Sequence, residues 1–314
     1  PATTTPAAAA QAATREARAF WNAVAGRVEL DLKRIVATPT AEVTAIRGVA
    51  VANDTRLALE GFEGKFKANP FKVAAAVTFN AKAPEPYQLQ ANVDFSGIDV
   101  GELLRAANPG EKPMIESKVT VRANLKGAGL NAANLAERTH GTFEVTGTKG
   151  VLRALGRQGE SVGRASSLLG IAGALAGSAS TVSLGRLGQE LEEMQFDQFT
   201  LKAERGADLN LKVSTLEFLS PTKRLTGGGS VDYKPGVPFD QWPFAFQVRL
   251  AGKDYMAQLL NQARVLSGQQ DDKGYYPMAV PFAVSGTAEK VNNGLWKILL
   301  ESAAQAALGG FLGR

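Results

Sequence analysis

The chain has 314 residues, 45% of them hydrophobic, with 33 glycines, few aromatics and no cysteine. That length can bury a sizeable core, and the missing cysteine excludes disulfides, thiolate nucleophiles and cysteine-bound metal. The net charge is +5, but both signs are scattered, with no Lys/Arg block and no basic–aromatic stacking motif, so no nucleic-acid partner is expected.

Residues 1–25 read as a linker, "PATTTPAAAAQAA", running into an Ala-rich helix over Gln11–Ala25. The Phe20–Trp21 pair is placed to dock it on the rest, and the Pro/Thr/Ala composition marks the chain as a segment of a longer protein. Strict alternation starts at "RVELDLKRI", where Val28, Leu30 and Leu32 oppose Glu29, Asp31 and Lys33, the period of a half-buried strand. Residues 26–160 continue as a first antiparallel β segment, with turn signals at Asn53-Asp54 and Asn69-Pro70. Residues 161–195 are rich in small residues and read as a helical insertion of two short helices broken near Ser178–Ser183. A second antiparallel β segment follows over 196–290, and 291–314 form a C-terminal amphipathic helix.

One unit recurs within this series. In "LQANVDFSGIDVGELLRAAN", alternation through Val93 and Phe95 stops at Gly97, and Ile98, Val100, Leu103 and Leu104 then follow helical spacing, with Asp99 placed as cap. "FAFQVRLAGKDYMAQLLNQA" repeats it, matching Val248, Leu250, Gly252, Asp254 and Leu259 at one constant offset. Weaker versions use Gly127 and Gly286. Glycine permits a sharp exit with positive φ, and the short helix covers an apolar patch at the rim of the sheet.

The residues offer little chemistry. The single histidine, His140, sits between a helix end and a strand with no G-x-S-x-G elbow, and a zinc site would lack ligands. "LTGGGSVDY" lacks the helix that a phosphate cradle needs and reads as a bulge entering a strand. The acids of "ELEEM" and "QQDDKG" read as solvated faces. No catalytic residue, metal or cofactor is expected. The apolar face is the informative feature. Val28, Leu30, Val77, Phe79, Val93, Phe95, Val121, Leu211, Phe246 and Val248 lie on it. Two readings stay open: a closed core, or an open curved sheet whose concave face holds acyl chains, since six to eight strand residues span roughly 20–26 Å. In the terminal helix Leu295, Ile298 and Leu299 form one stripe with Trp296 at its edge. Its polar face is not strongly basic, so docking on protein is expected over contact with a membrane surface.

Gly97-Ile98-Asp99 with Leu103-Leu104, then Gly127, Gly129, Leu135, Gly141 and Gly150, and the closing "PFAVSGTAEKV", resemble the C-terminal region of the AsmA-like family over most of residues 26–314. The central helical insertion is longer than that pattern. The resemblance implies a mainly β fold: a curved, taco-like antiparallel sheet with short rim helices. It implies a bacterial envelope protein in the periplasm, anchored in the inner membrane by an upstream segment, that carries phospholipid along a hydrophobic groove towards the outer membrane. An inner- or outer-membrane protein partner is also implied, or, on older descriptions, a role in outer-membrane assembly. No catalytic residues are implied.

Overall fold

The computed structural model describes residues 14–38, 41–107, 109–110, 112–156, 179–288 and 290–312. Its elements are β1 (Gly26–Thr38), β2 (Ala41–Asn53), β3 (Arg56–Phe66), β4 (Asn69–Phe79), β5 (Tyr87–Asp99), α1 (Val100–Ala107), β6 (Ile115–Gly129), α2 (Ala132–Glu137) and β7 (His140–Leu152). Then come α3 (Ala179–Glu192), β8 (Met194–Arg205), β9 (Leu211–Leu219), β10 (Lys223–Val231), β11 (Phe244–Gly252), α4 (Asp254–Gln262), β12 (Tyr276–Pro277), β13 (Phe282–Gly286), β14 (Val291–Asn293) and α5 (Leu295–Leu312). The protein is mainly β. Its described strands form one antiparallel sheet in chain order, with β12 pairing beside β13 on β11, and the sheet does not close into a barrel.

Turn chemistry sets the hairpins. The Asn53 side chain accepts from the backbone N–H groups of Thr55 (3.0 Å) and Arg56 (2.8 Å), fixing the β2–β3 turn. The next turn is two residues earlier than the Asn69-Pro70 signal suggests. Lys67 and Ala68 both take positive φ, as a two-residue hairpin requires, and Asn69-Pro70 opens β4.

The chain divides into two compact units, Pro1–Val93 with Asn124–Gly141, and Asp94–Ala123 with Thr142–Arg314. In the first, Ala19, Trp21, Ala52, Phe79, Tyr87 and Leu135 form the buried cluster. The helix expected over Gln11–Ala25 is not found over 14–25, which form extended chain and a turn; Gln11 to Ala13 lie outside the described residues. Burial of Ala19 and Trp21 overrides the helix propensity of the alanines. The docking role of this segment does hold for Trp21. Its indole N–H donates to Asn53 O at 2.7 Å.

The second unit has the larger core. Leu184, Leu187 and Leu191 of α3, spaced for one helix face, join Met256, Leu259 and Leu260 of α4 and Leu295, Trp296 and Leu299 of α5. These helices cover Phe199, Phe218, Leu225, Val248 and Leu250 of the sheet. The break expected near Ser178–Ser183 is absent from 179 onward, where α3 runs unbroken to Glu192. Ser183 is buried and its hydroxyl donates to the Gln262 side chain, so the residue read as a break has a tertiary partner within the helix. The first of the two expected helices falls outside the described residues.

Candidate functional site

The four strand-to-helix exits differ in kind. Gly97 lies inside its strand, two residues before the end of β5, with its backbone at φ +75°, and Asp99 caps α1 by accepting from Glu102 N–H at 2.8 Å. Gly252 does not have positive φ. A Cβ there would lie 2.8 Å from Ala257 N and from Met256 C, so this glycine admits the backbone of α4 against the strand end. Positive φ falls instead on Asp254, at +51°. In the third copy the exit glycine is Gly129, where a Cβ would meet Leu135 N at 2.5 Å, and Gly127 lies inside the strand. In the fourth, Gly286 ends β13 but leads into β14 before the helix begins.

The apolar face of the first unit can be built strand by strand from the pairing. Val28 faces Ala50, Leu30 faces Gly48 and Leu32 faces Ile46. Ala52 and Ala50 continue to Leu57 and Leu59. Leu57 faces Val77, Phe62 faces Val73 and Gly64 faces Phe71. One end of this face is closed by an aromatic clamp. Tyr87 is fully buried, with its ring 4.9 Å from Phe79 and 5.9 Å from Trp21. Its hydroxyl donates to the Glu16 carboxylate and accepts from Phe20 N–H at 2.8 Å. Burial, with help from the bond to Glu16, pushes the phenol up to about 12. Away from the clamp the face is accessible in part: Val28 is 55% exposed and Leu32 40%, while Ile46, opposite Leu32, and Phe71 are buried.

The second unit repeats this arrangement with helices as the closure. Along β10 and β11 the facing pairs are Leu225 with Leu250, Gly227 with Val248, Gly229 with Phe246 and Val231 with Phe244. The first two rows lie under the helices, Val248 being 2% exposed. In the last two, Phe246, Phe244, Val231 and Leu211 are partly exposed. Aromatic rings, with the strand backbone beside them, take the place that a side chain on the neighbouring strand would occupy. A Cβ on Gly64 would meet the Phe71 ring at 2.9 Å, one on Gly48 Phe62 Cα at 2.8 Å and its ring at 3.1 Å, and one on Gly229 Ala245 O at 2.2 Å and the Phe246 ring at 2.8 Å. Each ring reaches over the glycine beside it, and Phe62 and Phe246 do so on a partly exposed floor of the face.

The ten expected groove residues therefore divide. Phe79 and Val248 are core residues, a correction to their assignment as groove wall, because the clamp covers one and the helices cover the other. Val77 and Val121 pack against these cores. Leu30, Val93, Phe95, Leu211 and Phe246 are partly exposed, and Val28 is exposed. In the terminal helix Leu295, Trp296 and Leu299 are buried and Ile298 packs beside them. Trp296 donates to Leu155 O at 2.9 Å and Ser302 to Ala263 O at 2.8 Å, so the described part of this helix docks on protein. The aromatic–glycine pairs went unnoticed in the sequence. Phe62 on β3 beside Gly48 of β2, and Phe71 on β4 beside Gly64 of β3, were the available signal.

Polar groups mostly serve the fold. His140 Nδ1 lies 3.0 Å from Arg138 O. Asp271 and Asp272, expected as a solvated face, ligate Arg224 at 2.7 and 3.0 Å, and Glu217 joins at 2.7 Å. Burial opposes ionisation of Glu217, but hydrogen bonds from Lys273 and Arg224 outweigh it and hold the carboxyl below its usual range. Among the described residues no group of three or more His, Asp or Glu could hold a metal ion, and no helix is long and apolar enough to cross a membrane. No protein-family model, curated protein or solved structure matches the chain.

Proposed function

We propose that the protein is a non-enzymatic carrier of phospholipid acyl chains, of the AsmA-like kind, working in the bacterial periplasm between the inner and outer membranes. One observation carries this reading. In each unit the apolar face is closed at one end and carries residues within reach of solvent beyond it, Val28 and Leu32 exposed in the first and Phe244 and Phe246 partly exposed in the second. A face built only as core would be covered along its length, and exposed apolar patches of this kind mark binding surfaces. The glycine-floored rings supply a smooth, non-directional surface, which suits an alkyl chain that offers no hydrogen bonds. The spacing of Gly97, Gly129, Gly141 and Gly150 supports the family reading.

The second reading is an assembly module with a closed core, supporting outer-membrane biogenesis through a membrane-protein partner. The cover that α3, α4 and α5 provide over Val248 and Leu250 favours it. Two substitutions separate the readings. Phe246→Asp places its carboxylate on the accessible floor, whereas Val248→Asp buries an unpaired charge, at a cost on the order of 3–5 kcal/mol. A carrier keeps its fold in Phe246→Asp but loses the lipid seen by native mass spectrometry and by photocrosslinking. If Phe246→Asp unfolds as Val248→Asp does, and wild-type protein yields no lipid, the closed-core reading stands.

A further inference from the structure

The hairpin between β10 and β11 lies at the uncovered end of the second unit's face, beyond the Val231–Phe244 pair. Its sequence, "DYKPGVPFDQWP", is aromatic at the tip rather than polar. Phe239 is 65% exposed, the most of any large hydrophobic side chain described, and Val237 is 37% exposed. Asp240 O accepts from Ala288 N–H at 3.0 Å and Tyr233 N–H donates to the Asn210 side chain at 2.9 Å; the other bonds of the tip are internal. Val237 N–H donates to Lys234 O, Gln241 N–H to Pro238 O and Trp242 N–H to Phe239 O, at 3.1–3.2 Å. The Trp242 indole donates to Val237 O at 2.8 Å, and its ring meets Tyr233 at 5.0 Å and Phe239 at 5.2 Å, edge to face. Pro235 and Pro238 carry no N–H.

We propose that this hairpin tip, led by Phe239 and Val237, inserts into the interface of a lipid bilayer. Three properties favour a bilayer over a protein. The exposed apolar area of one Phe and one Val is at most a few hundred Å², below the ~800 Å² per partner of a stable protein complex, yet shallow insertion needs only such a wedge. Internal hydrogen bonds and prolines reduce the donors that would be stranded on leaving water. Trp242 and Tyr233, apolar rings with a polar edge, suit the headgroup level, with the Arg205 guanidinium 5.6 Å from the Tyr233 ring centroid. Lys234 is set against Asp232 and Asp240, so the tip has no cationic excess and suits a zwitterionic surface. The inference deepens the acyl-chain reading, on which it rests for its purpose, by naming where chains would pass between bilayer and face.

The test uses vesicles of phosphatidylcholine with and without brominated acyl chains. Of the three tryptophans, Trp21 and Trp296 are buried at 4% and 8% exposure, so quenching reports Trp242. Wild-type emission should be quenched by the brominated lipid, with little dependence on salt. Phe239→Ser and Val237→Ser should weaken partitioning roughly tenfold or more together, with unchanged melting because both side chains are exposed. Quenching that survives the double substitution, or that demands anionic lipid and disappears with salt, overturns the proposal. Co-purified lipid is measured on the same samples. Lipid without wild-type quenching defeats the tip and leaves the carrier reading intact. Quenching that the double substitution abolishes, without co-purified lipid, upholds the tip and defeats the carrier reading.

Discussion

Replacing Gly97 and Gly252 by alanine, one at a time, separates two reasons for a glycine at a strand exit. At Gly97 the backbone sits at φ +75°, where an L-residue with a Cβ is strained by about 1–2 kcal/mol. At Gly252 φ is ordinary, but an added Cβ would lie 2.8 Å from the α4 backbone and 3.0 Å from Leu260 Cδ1. The helix must recede by about 0.6 Å to restore normal contact, and it is itself packed through Met256, Leu259 and Leu260, so overpacking costs about 1–3 kcal/mol. Alanine alone does not distinguish these causes; asparagine does. Asn tolerates positive φ better than Ala, so Gly97→Asn should recover part of the loss. At Gly252 a longer side chain deepens the clash, and Gly252→Asn should be worse than Gly252→Ala. Urea unfolding of the four variants, followed by tryptophan fluorescence, reads the order directly. Equal losses for Gly97→Ala and Gly97→Asn, or a Gly252→Ala loss below about 0.5 kcal/mol, would refute the reasoning.

Leu299→Ala should cost about 2–5 kcal/mol, since its side chain is fully buried between α5 and the core; a melting point equal to wild type would mean that α5 docks loosely. Tyr87→Phe removes the hydroxyl that holds Glu16 and Phe20 and should speed tryptic cleavage at Arg15 and Arg18, while cleavage at an unchanged rate would show that the rings alone hold the clamp. Arg224→Met should cost about 2 kcal/mol and flatten the acid limb of stability. Hydrogen bonds that outweigh burial hold Glu217 and Asp271 below their ordinary values in the fold. Their contribution is therefore complete above the unfolded values near pH 4 and is lost as pH falls through the folded ones. Urea midpoints between about pH 2 and pH 6 check this slope.

The period of two was enough to read most of the sheet, because strands of the first unit set polar groups against apolar ones, as Glu29, Asp31 and Lys33 do in β1 and Gln88, Gln90 and Asn92 in β5. Helices α4 and α5 were legible for the same kind of reason. What failed was local propensity set against tertiary contacts. The alanines around Arg15 suggested a helix, yet Trp21 and the Tyr87 hydroxyl, 66 residues further on, hold the segment extended. Ser183 suggested a break, yet Gln262 receives its hydroxyl. The face itself was legible, but which of its residues are covered was not, since Val248 and Phe246 are one step apart on the same strand face and differ only by what lies above them.

That difference follows from where the closures come from in the chain. In the second unit the cover is three helices whose leucines face the sheet at helical spacing, and it ends where the helix faces end, between Val248 and Phe246. In the first unit the cover is a short extended segment anchored by Trp21, by the Tyr87 hydroxyl and by Glu16 N–H on Leu130 O, and it reaches no further than Ala52, Phe79 and Leu135. Covering the remaining rows would need only a few more apolar residues in either closure. Partly exposed rows carry rings beside glycines, Phe62 at Gly48 and Phe246 at Gly229, where the strand backbone also closes in, a Cβ meeting Phe62 Cα at 2.8 Å and Ala245 O at 2.2 Å. A glycine in a strand interior weakens the sheet, and at these positions it leaves room for the neighbouring strand and its ring. The same contact occurs under the helical cover, where a Cβ on Gly150 would meet the buried Phe196 ring at 2.3 Å, so whether a row is open is set by the reach of the closures and not by its glycines.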